Sequence, residues 1–350
     1  MSQIKLLQLI TGLGMGGAEK VVLDLSKFIN NDSFQTHVVA LSNKTELLNE
    51  FLHNNINVTV LNGKNNFKHF FKIIREVNSY VKQNAIQVLH AHMTHALIVA
   101  CIIKLVNPRL KIVYTSHNIN IGSRLREIMV YFLKPFRNID IIFSKNILKF
   151  FYKKNHIVIP NGIHIEKYSL KLLKPKVFTL TCIGRLEYVK NHTFLVDLAN
   201  KLKSKIKFKI QIVGAGELEQ ELKQKVHELG LQDYVFFLGL RNNVANILNE
   251  SHCFVLPSHW EGLPIVLLEA AASKLPIIST PVGSIPSLID DSLGILCELN
   301  DFEKNIEEIY YNYESAKQRS NKLYEIVSSK FSIKSIVNQH EKVYQNLVES

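Results

Sequence analysis

The sequence is poor in the features that would mark a membrane-embedded, secreted or metal-built protein. A spanning helix needs roughly 18 or more apolar residues; the longest candidate here, Ala96 to Ile103, stops at Lys104. The first apolar stretch, Ile4 to Ile10, is too short for a signal-peptide core and runs directly into a glycine loop. Only four cysteines occur, Cys101, Cys182, Cys253 and Cys297, far apart and without a Cys-x-x-Cys pair. That excludes a disulfide framework and a cysteine zinc site, and predicts reduced, buried thiols in a cytosol. No Asp-x-Asp, no repeat and no low-complexity tract is present. With 47% hydrophobic and 21% charged residues over 350 positions, disorder, collagen and coiled coil are also excluded.

What is present is a lopsided charge. Residues 1–165 hold 20 Lys and Arg against 8 Asp and Glu, whereas 166–350 hold 22 of each, so the net +12 lies wholly in the first half. Such a half suggests an anionic partner: nucleic acid, an acidic substrate or anionic lipid. Two dense segments, Lys64 to Arg75 and Arg124 to Arg137, mix cations with Phe, Tyr and Leu at helical spacing. They fit either interfacial helices or ordinary helices with one core face and one solvated basic face.

Apolar runs alternate with helical patterns along the chain. Strands are expected at Ile4–Ile10, Thr36–Leu41, Val58–Leu61, Val88–His90, Lys111–Ser116 and Ile139–Phe143, with a helix over Ala18–Ile29. A turn at Pro160-Asn161-Gly162 and a polar connector, Lys171 to Lys176, precede a second series that starts at Val177. The pattern predicts an α/β protein with two Rossmann-like domains of parallel strands. The domains are placed at 1–165, joined by a C-terminal helix at about 332–350, and at 166–331. Ligands in such sheets bind outside the carboxyl ends of the strands.

Four segments carry chemistry. Gly12, Gly14 and Gly17 match G-x-G-x-x-G after a strand, which suits close approach of an anion to a helix start. The nicotinamide version of that motif also wants an acid at the end of the second strand, and Leu41-Ser42-Asn43 has none. Gly184-Arg185-Leu186-Glu187-Tyr188-Val189-Lys190-Asn191 places two cations at a strand end, where they could hold a diphosphate or merely form a solvated loop. Pro257-Ser258-His259-Trp260-Glu261-Gly262-Leu263-Pro264 leads into a helix with Pro264 at its first position, and Glu269 falls on an otherwise apolar face. His90, His92 and His95 have the spacing H-x-H-x-x-H, which could bind zinc, but no acidic or cysteine ligand lies nearby in sequence.

Taken in order, Gly16-Gly17-Ala18-Glu19, Pro160-Asn161-Gly162, Gly184-Arg185-Leu186 with Lys190-Asn191, Val213-Gly214-x-Gly216-Glu217 and Glu261-Gly262-Leu263-Pro264-x4-Glu269 resemble the retaining glycosyltransferases of family 4 over nearly the whole chain. The resemblance implies a GT-B fold, two Rossmann-like domains whose parallel sheets face a central cleft, with the last helix returning to the first domain. It implies that Arg185 and Lys190 neutralise the donor diphosphate and that Glu269 holds the nucleotide ribose. Glu261 would contact the donor sugar, and His117 would be the active-site histidine. The backbone of Gly16, Gly17, Gly216, Gly262, Leu263, Pro264 and Ile265 would surround phosphates and sugar, with the loop Gly239–Arg241 by the base. Ser287, after Ile285-Pro286, stands where the family usually carries a glutamate. No metal and no cofactor is implied; the nucleotide-sugar, most commonly a UDP-sugar in such enzymes, is a substrate.

The expected reaction moves a sugar from that donor to a glycan or polyprenyl-diphosphate-linked acceptor in bacterial surface-polysaccharide synthesis. The basic first half then fits a cytoplasmic protein peripheral to the inner face of the plasma membrane, with no nucleic-acid partner. The competing readings are a nicotinamide-dependent oxidoreductase built on Gly12, Gly14 and Gly17, a GDP-mannose-type transferase of the same fold, and a non-catalytic membrane- or nucleic-acid-binding protein.

Overall fold

The apolar runs become the strands of two parallel sheets. The computed structural model describes residues 3–63, 67–117, 122–144, 148–170 and 172–349. The start of the first basic segment (64–66), Asn118 and Lys171 therefore lie outside the described residues. Contacts divide the chain into one unit of Met1–Gly162 with Ile333–Ser350 and a second of Ile163–Ser332.

The first unit holds β1 (Ile4–Ile10), β2 (Phe34–Ser42), β3 (Asn57–Gly63), β4 (Val88–His92), β5 (Lys111–Thr115), β6 (Ile139–Ile142) and β7 (Ile157–Val158). They pair in parallel in the order β3-β2-β1-β4-β5-β6-β7. The second unit holds β8 (Phe178–Ile183), β9 (Phe208–Val213), β10 (Val235–Gly239), β11 (Cys253–Leu256), β12 (Ile277–Ser279) and β13 (Ile295–Leu296). Their order is β10-β9-β8-β11-β12-β13, again all parallel. The central strands β4, β8 and β11 are buried at every residue; β11 is apolar throughout, whereas β8 encloses Thr179 and Thr181 and β4 encloses His90 and His92. In each sheet the winding reverses between two central strands, β1 and β4 or β8 and β11. The carboxyl ends of those strands are where an open α/β sheet leaves room for a ligand.

The first unit carries α1 (Gly17–Phe28), α2 (Leu48–His53), α3 (Phe67–Gln83), α4 (Met93–Val106) and α5 (Arg124–Phe132). The second carries α6 (Ile165–Tyr168), α7 (His192–Leu202), α8 (Glu219–Glu228), α9 (Val244–Asn249), α10 (Ile265–Ala272), α11 (Phe302–Tyr311) and α12 (Tyr313–Phe331). The last helix, α13 (Ile333–Glu349), belongs to the first unit, as the resemblance implies. Its stripe Ile333, Ile336, Val337, His340, Val343 and Tyr344 is buried against Leu6, Leu25, Phe34 and Val88.

Both basic segments carry core contacts, as the second of the two readings of them has it for α3. Arg137, read as part of a basic interfacial segment, is buried: its guanidinium lies 3.0 Å from the Asp140 carboxylate and donates to the Val130 and Phe151 carbonyls. Phe70, Ile73 and Ile74 of the other basic segment pack on the core, so α3 has an ordinary inner face. Three of the four cysteines are buried thiols, and burial pushes Cys101 and Cys182 up to about 12.

The first core also holds histidines. Burial lowers His90 and His92 well below the usual range, reinforced by their histidine neighbours, and lowers His340 to about 4. These rings stay neutral in the folded chain and take up protons once unfolded, near pH 6.5. Their folded values are depressed, so stability is lost as pH falls below about 6.5, by up to about 1.4 kcal/mol per pH unit for each ring. Denaturant midpoints should be level from about pH 7 to 8 and fall steadily from about 6.5 to 5. A midpoint unchanged down to pH 5 would show that these rings do not stay neutral in the fold.

Candidate active site

At the reversal point of the second sheet, β8 ends at Ile183 and runs through Arg185 and Lys190, while β11 ends at Leu256 and runs through Glu261 into α10. The two loops meet through an ion pair. Lys190 Nζ lies 2.6 and 2.9 Å from the two Glu261 carboxylate oxygens. Ser258 Oγ donates to Glu261 Oε1 at 2.7 Å, and Thr280 Oγ1 donates to the Ser258 carbonyl at 2.6 Å. Glu261 is only 5% exposed. A carboxylate that buried is tolerable because a cation and a hydroxyl both meet it. Gly283 packs behind the Glu261 carbonyl with φ at +61°, and a Cβ there would overlap that carbonyl.

The same loops are tied in two further ways. Tyr188 stacks on His259 with ring centroids 4.8 Å apart, and the His259 N–H donates to the Val189 carbonyl. Gly214 and Gly216, in the loop after β9, approach the backbone of Gly184 and Leu186 so closely that a Cβ on either would overlap it. Gly216 is thus explained by the protein's own packing, which sets the β9 loop against the Arg185 loop. Gly262, by contrast, has nothing within 4 Å of where a Cβ would stand. Arg185 is 79% exposed, with its guanidinium 2.9 Å from Glu187 Oε1.

Pro264 immediately precedes α10 rather than beginning it, with extended ψ of 125°. The helix then starts at Ile265, and its first amides have no partner inside the helix. Glu269 lies one turn on, among the buried Leu267, Leu268, Ala270, Ala271 and Ala272. The Tyr168 hydroxyl, from α6, donates to its carboxylate at 2.5 Å, and burial raises its pKa. Tyr168 has no signal in the sequence pattern, being about a hundred residues from its partner. Leu240, in the loop after β10, is 81% exposed. Ser287 turns its hydroxyl back to the Ser284 carbonyl.

At the reversal point of the first sheet, β1 leads to the glycine loop and β4 ends at His92. Gly12 lies where a Cβ would press on Ser42 Oγ, and Gly16 where one would overlap the Glu19 carboxylate; Gly17 has nothing within 4 Å. His117, two residues beyond β5, has left-handed backbone with φ at +62°. Its Nε2 lies 2.7 Å from His92 Nδ1, and burial, with a contribution from His340, pushes its pKa down to about 3. His90 bonds Tyr344 and Thr115, and His92 bonds Gln8 and His117. Among the described residues, no three His, Cys, Asp or Glu side chains gather as metal ligands, so His90, His92 and His95 form no ligand set. His90 and His92 instead serve a buried hydrogen-bond network.

Comparison with known proteins supplies the family. Residues 15–171 match the model of Glycosyltransferase Family 4, and residues 165–325 match that of Glycosyl transferases group 1. The UDP-Gal:alpha-D-GlcNAc-diphosphoundecaprenol alpha-1,3-galactosyltransferase of Escherichia coli is 36% identical over 170 residues, 43% of each chain. The capsular polysaccharide biosynthesis glycosyltransferase CapH of Staphylococcus aureus is 29% identical over 301 residues, covering 80% of this chain and 82% of its own. In fold, the chain is similar to HepE of Anabaena, solved in complex with UDP, with a TM-score of 0.81 and 20% identity over 98% of this chain and all of that one. The two models follow one another along almost the whole sequence, on two parallel sheets of the GT-B type, and the chain belongs to the family 4 (group 1) glycosyltransferases.

Proposed function

We propose that the protein is a retaining transferase that moves a sugar from a UDP-sugar to a lipid-linked glycan acceptor at the membrane surface. The observation that carries this reading is the cationic loop at the second reversal point: exposed Arg185 beside Lys190, itself held on Glu261. An ammonium has three hydrogens, and two serve the Glu261 oxygens; the third is left for a diphosphate oxygen. Arg185 adds a planar fork, and the first amides of α10, from Ile265, with the preceding turn at Gly262, Leu263 and Pro264, add the positive end of a helix. Together they stabilise the negative charge that develops on the departing nucleotide, so the reaction needs no metal. Glu261, locked by Lys190 and Ser258, orients donor sugar hydroxyls, and Glu269 with Tyr168 takes the ribose hydroxyls. Gly16, Gly17 and His117 serve the same reaction from the first unit.

The donor and acceptor classes rest on relatives: the E. coli enzyme's name specifies UDP-Gal and a diphosphoundecaprenol-linked sugar, and HepE binds UDP. Surface-polysaccharide synthesis is the matching pathway, as for CapH. A membrane-facing role is supported by α5. Leu125, Ile128, Tyr131 and Phe132 are exposed along it at helical spacing, and Tyr131 meets the ring of exposed Phe150 at 5.9 Å. Exposed Arg124 and Arg126 flank this apolar face, which suits docking to anionic lipid at the inner face of the plasma membrane.

Two experiments test these assignments. Arg185→Ala should lower kcat with a UDP-sugar about a hundredfold or more while moving stability by no more than about 0.5 kcal/mol, since the side chain is exposed. Lys190→Ala should lose activity to a similar degree and also cost about 3–5 kcal/mol, because it leaves Glu261 buried without its cation. An Arg185→Ala enzyme with unimpaired transfer would remove the diphosphate site from this loop. Separately, flotation with anionic vesicles at moderate salt should capture the wild type but not a Phe132→Glu, Phe150→Glu double variant with an unchanged melting temperature. Wild-type protein that ignores such vesicles would end the membrane reading.

A further inference from the structure

An unbroken hydrogen-bonded line crosses the core of the first unit. From Thr115 Oγ1 it passes to His90 Nε2 at 2.9 Å, and from His90 Nδ1 to the Tyr344 hydroxyl at 2.8 Å. Gln8 Nε2 donates to the same hydroxyl at 3.5 Å, and Gln8 Oε1 lies 2.7 Å from His92 Nε2. His92 Nδ1 then lies 2.7 Å from His117 Nε2. Its members come from β1, β4, β5 and the residues just after it, and α13; Gln8, His90, His92 and Tyr344 are fully buried.

The line has a sense. With Gln8 Oε1 turned toward His92 Nε2, at 2.7 Å, the carbonyl oxygen can only accept, and in that orientation His92 carries its proton on Nε2. A neutral His92 then has a bare Nδ1, which obliges His117 to donate from Nε2. On the other side the Tyr344 hydroxyl, receiving from the Gln8 amide, donates to His90 Nδ1, and His90 gives its Nε2 proton to Thr115. Turning the Gln8 amide over would reverse every one of these bonds, so the rings cannot choose their tautomers independently.

Backbone strain marks the same place. His117 and Met93, the residues just past β5 and β4, are both left-handed, with φ of +62° and +72°. Such conformations are costly for side chains with a Cβ and persist where surrounding structure enforces them.

We infer that Gln8, His92 and Tyr344 are positioning residues that hold His117 in one tautomer and one orientation, with Nε2 protonated and Nδ1 left as the acceptor nitrogen at the end of β5. This inference rests on the proposal that His117 serves the transfer reaction. In that role Nδ1 takes a hydrogen bond from a substrate hydroxyl, and the last helix of the chain, through Tyr344, becomes part of the machinery that aims it. Burial supports the scheme by keeping all four rings, His90, His92, His117 and His340, neutral.

The test has a structural arm and a kinetic arm, both on the full chain. Two-bond ¹H–¹⁵N correlation spectra at neutral pH, assigned with single histidine variants, should show His92 and His117 both as the Nε2-protonated tautomer. In Tyr344→Phe, which keeps the ring and loses the hydroxyl, the His90 resonances should move. A His117 protonated on Nδ1, or a tautomeric mixture, would overturn the inference without touching the transfer reading. Kinetically, His92→Leu should lower kcat about tenfold or more with donor KM little changed. His92→Asn, whose side-chain oxygen replaces Nδ1 as acceptor, should recover most of it. Equal activity of the Leu variant and wild type would also overturn the positioning role. If instead His117→Ala transfers sugar normally, the assignment of His117 to the reaction fails, while the tautomer spectra still decide the line itself.

Discussion

The pairing of Lys190 with Glu261 is the contact on which the second unit's strand-end loops depend. A carboxylate with so little exposure forces a cation and a hydroxyl to come to it, and both Lys190 and Ser258 do. That requirement fixes where the β8 loop ends and where the β11 loop begins. Gly283 has to be glycine because the Glu261 backbone lies against it, and Gly214 and Gly216 because the Arg185 loop does. The stacked Tyr188 and His259 close the same seam from outside. Arg185 can then stay exposed, paired with Glu187, which is compatible with the diphosphate contact proposed for it.

The first unit solves a different problem with neutral groups. Among the described residues, no buried carboxylate stands beside the histidines at its strand ends; polarity is satisfied by a line of rings, one amide, one phenol and the Thr115 hydroxyl. Such a line is sensitive to completeness, because one missing member leaves buried donors or acceptors without partners. The returning α13, docked by its apolar stripe, also contributes to this line through the Tyr344 hydroxyl. The exposed face of α5 is separate from this core and owes its apolar character to nothing inside the protein, since Val130 alone of that helix is buried.

Much of this was legible before any coordinates. Continuous apolar strands such as Phe-Val-Leu in β11 announce a parallel sheet, and the succession of glycine, Gly-Arg-Leu and Glu-x7-Glu motifs carries the family. The pairings were not legible. Lys190 and Glu261 read as separate binding groups because 71 positions separate them, and nothing local says that they meet. Tyr168 and Gln8 gave no sign for the same reason. Arg137 looked like a solvated cation because its partner Asp140 sits three residues on, where helical spacing was not expected to continue. The helix α12 carries little sequence signal, because its buried stripe is Ala316, Ser320, Leu323 and Val327, half of it small or polar. Gly216 could be seen to matter, but a glycine that admits a neighbouring loop and one that admits a ligand look alike in sequence.

The most direct test of the account is a thermal-shift comparison of UDP, GDP, ADP and NAD, each without metal and then with Mg²⁺. A nucleotide at about 100 times its dissociation constant adds roughly 2.7 kcal/mol to the folded state, a readable rise in melting temperature. The account predicts such a rise with UDP and no dependence on Mg²⁺, because Arg185, Lys190 and the start of α10 hold the diphosphate. A rise with NAD alone, or a UDP effect that appears only with Mg²⁺, would contradict it.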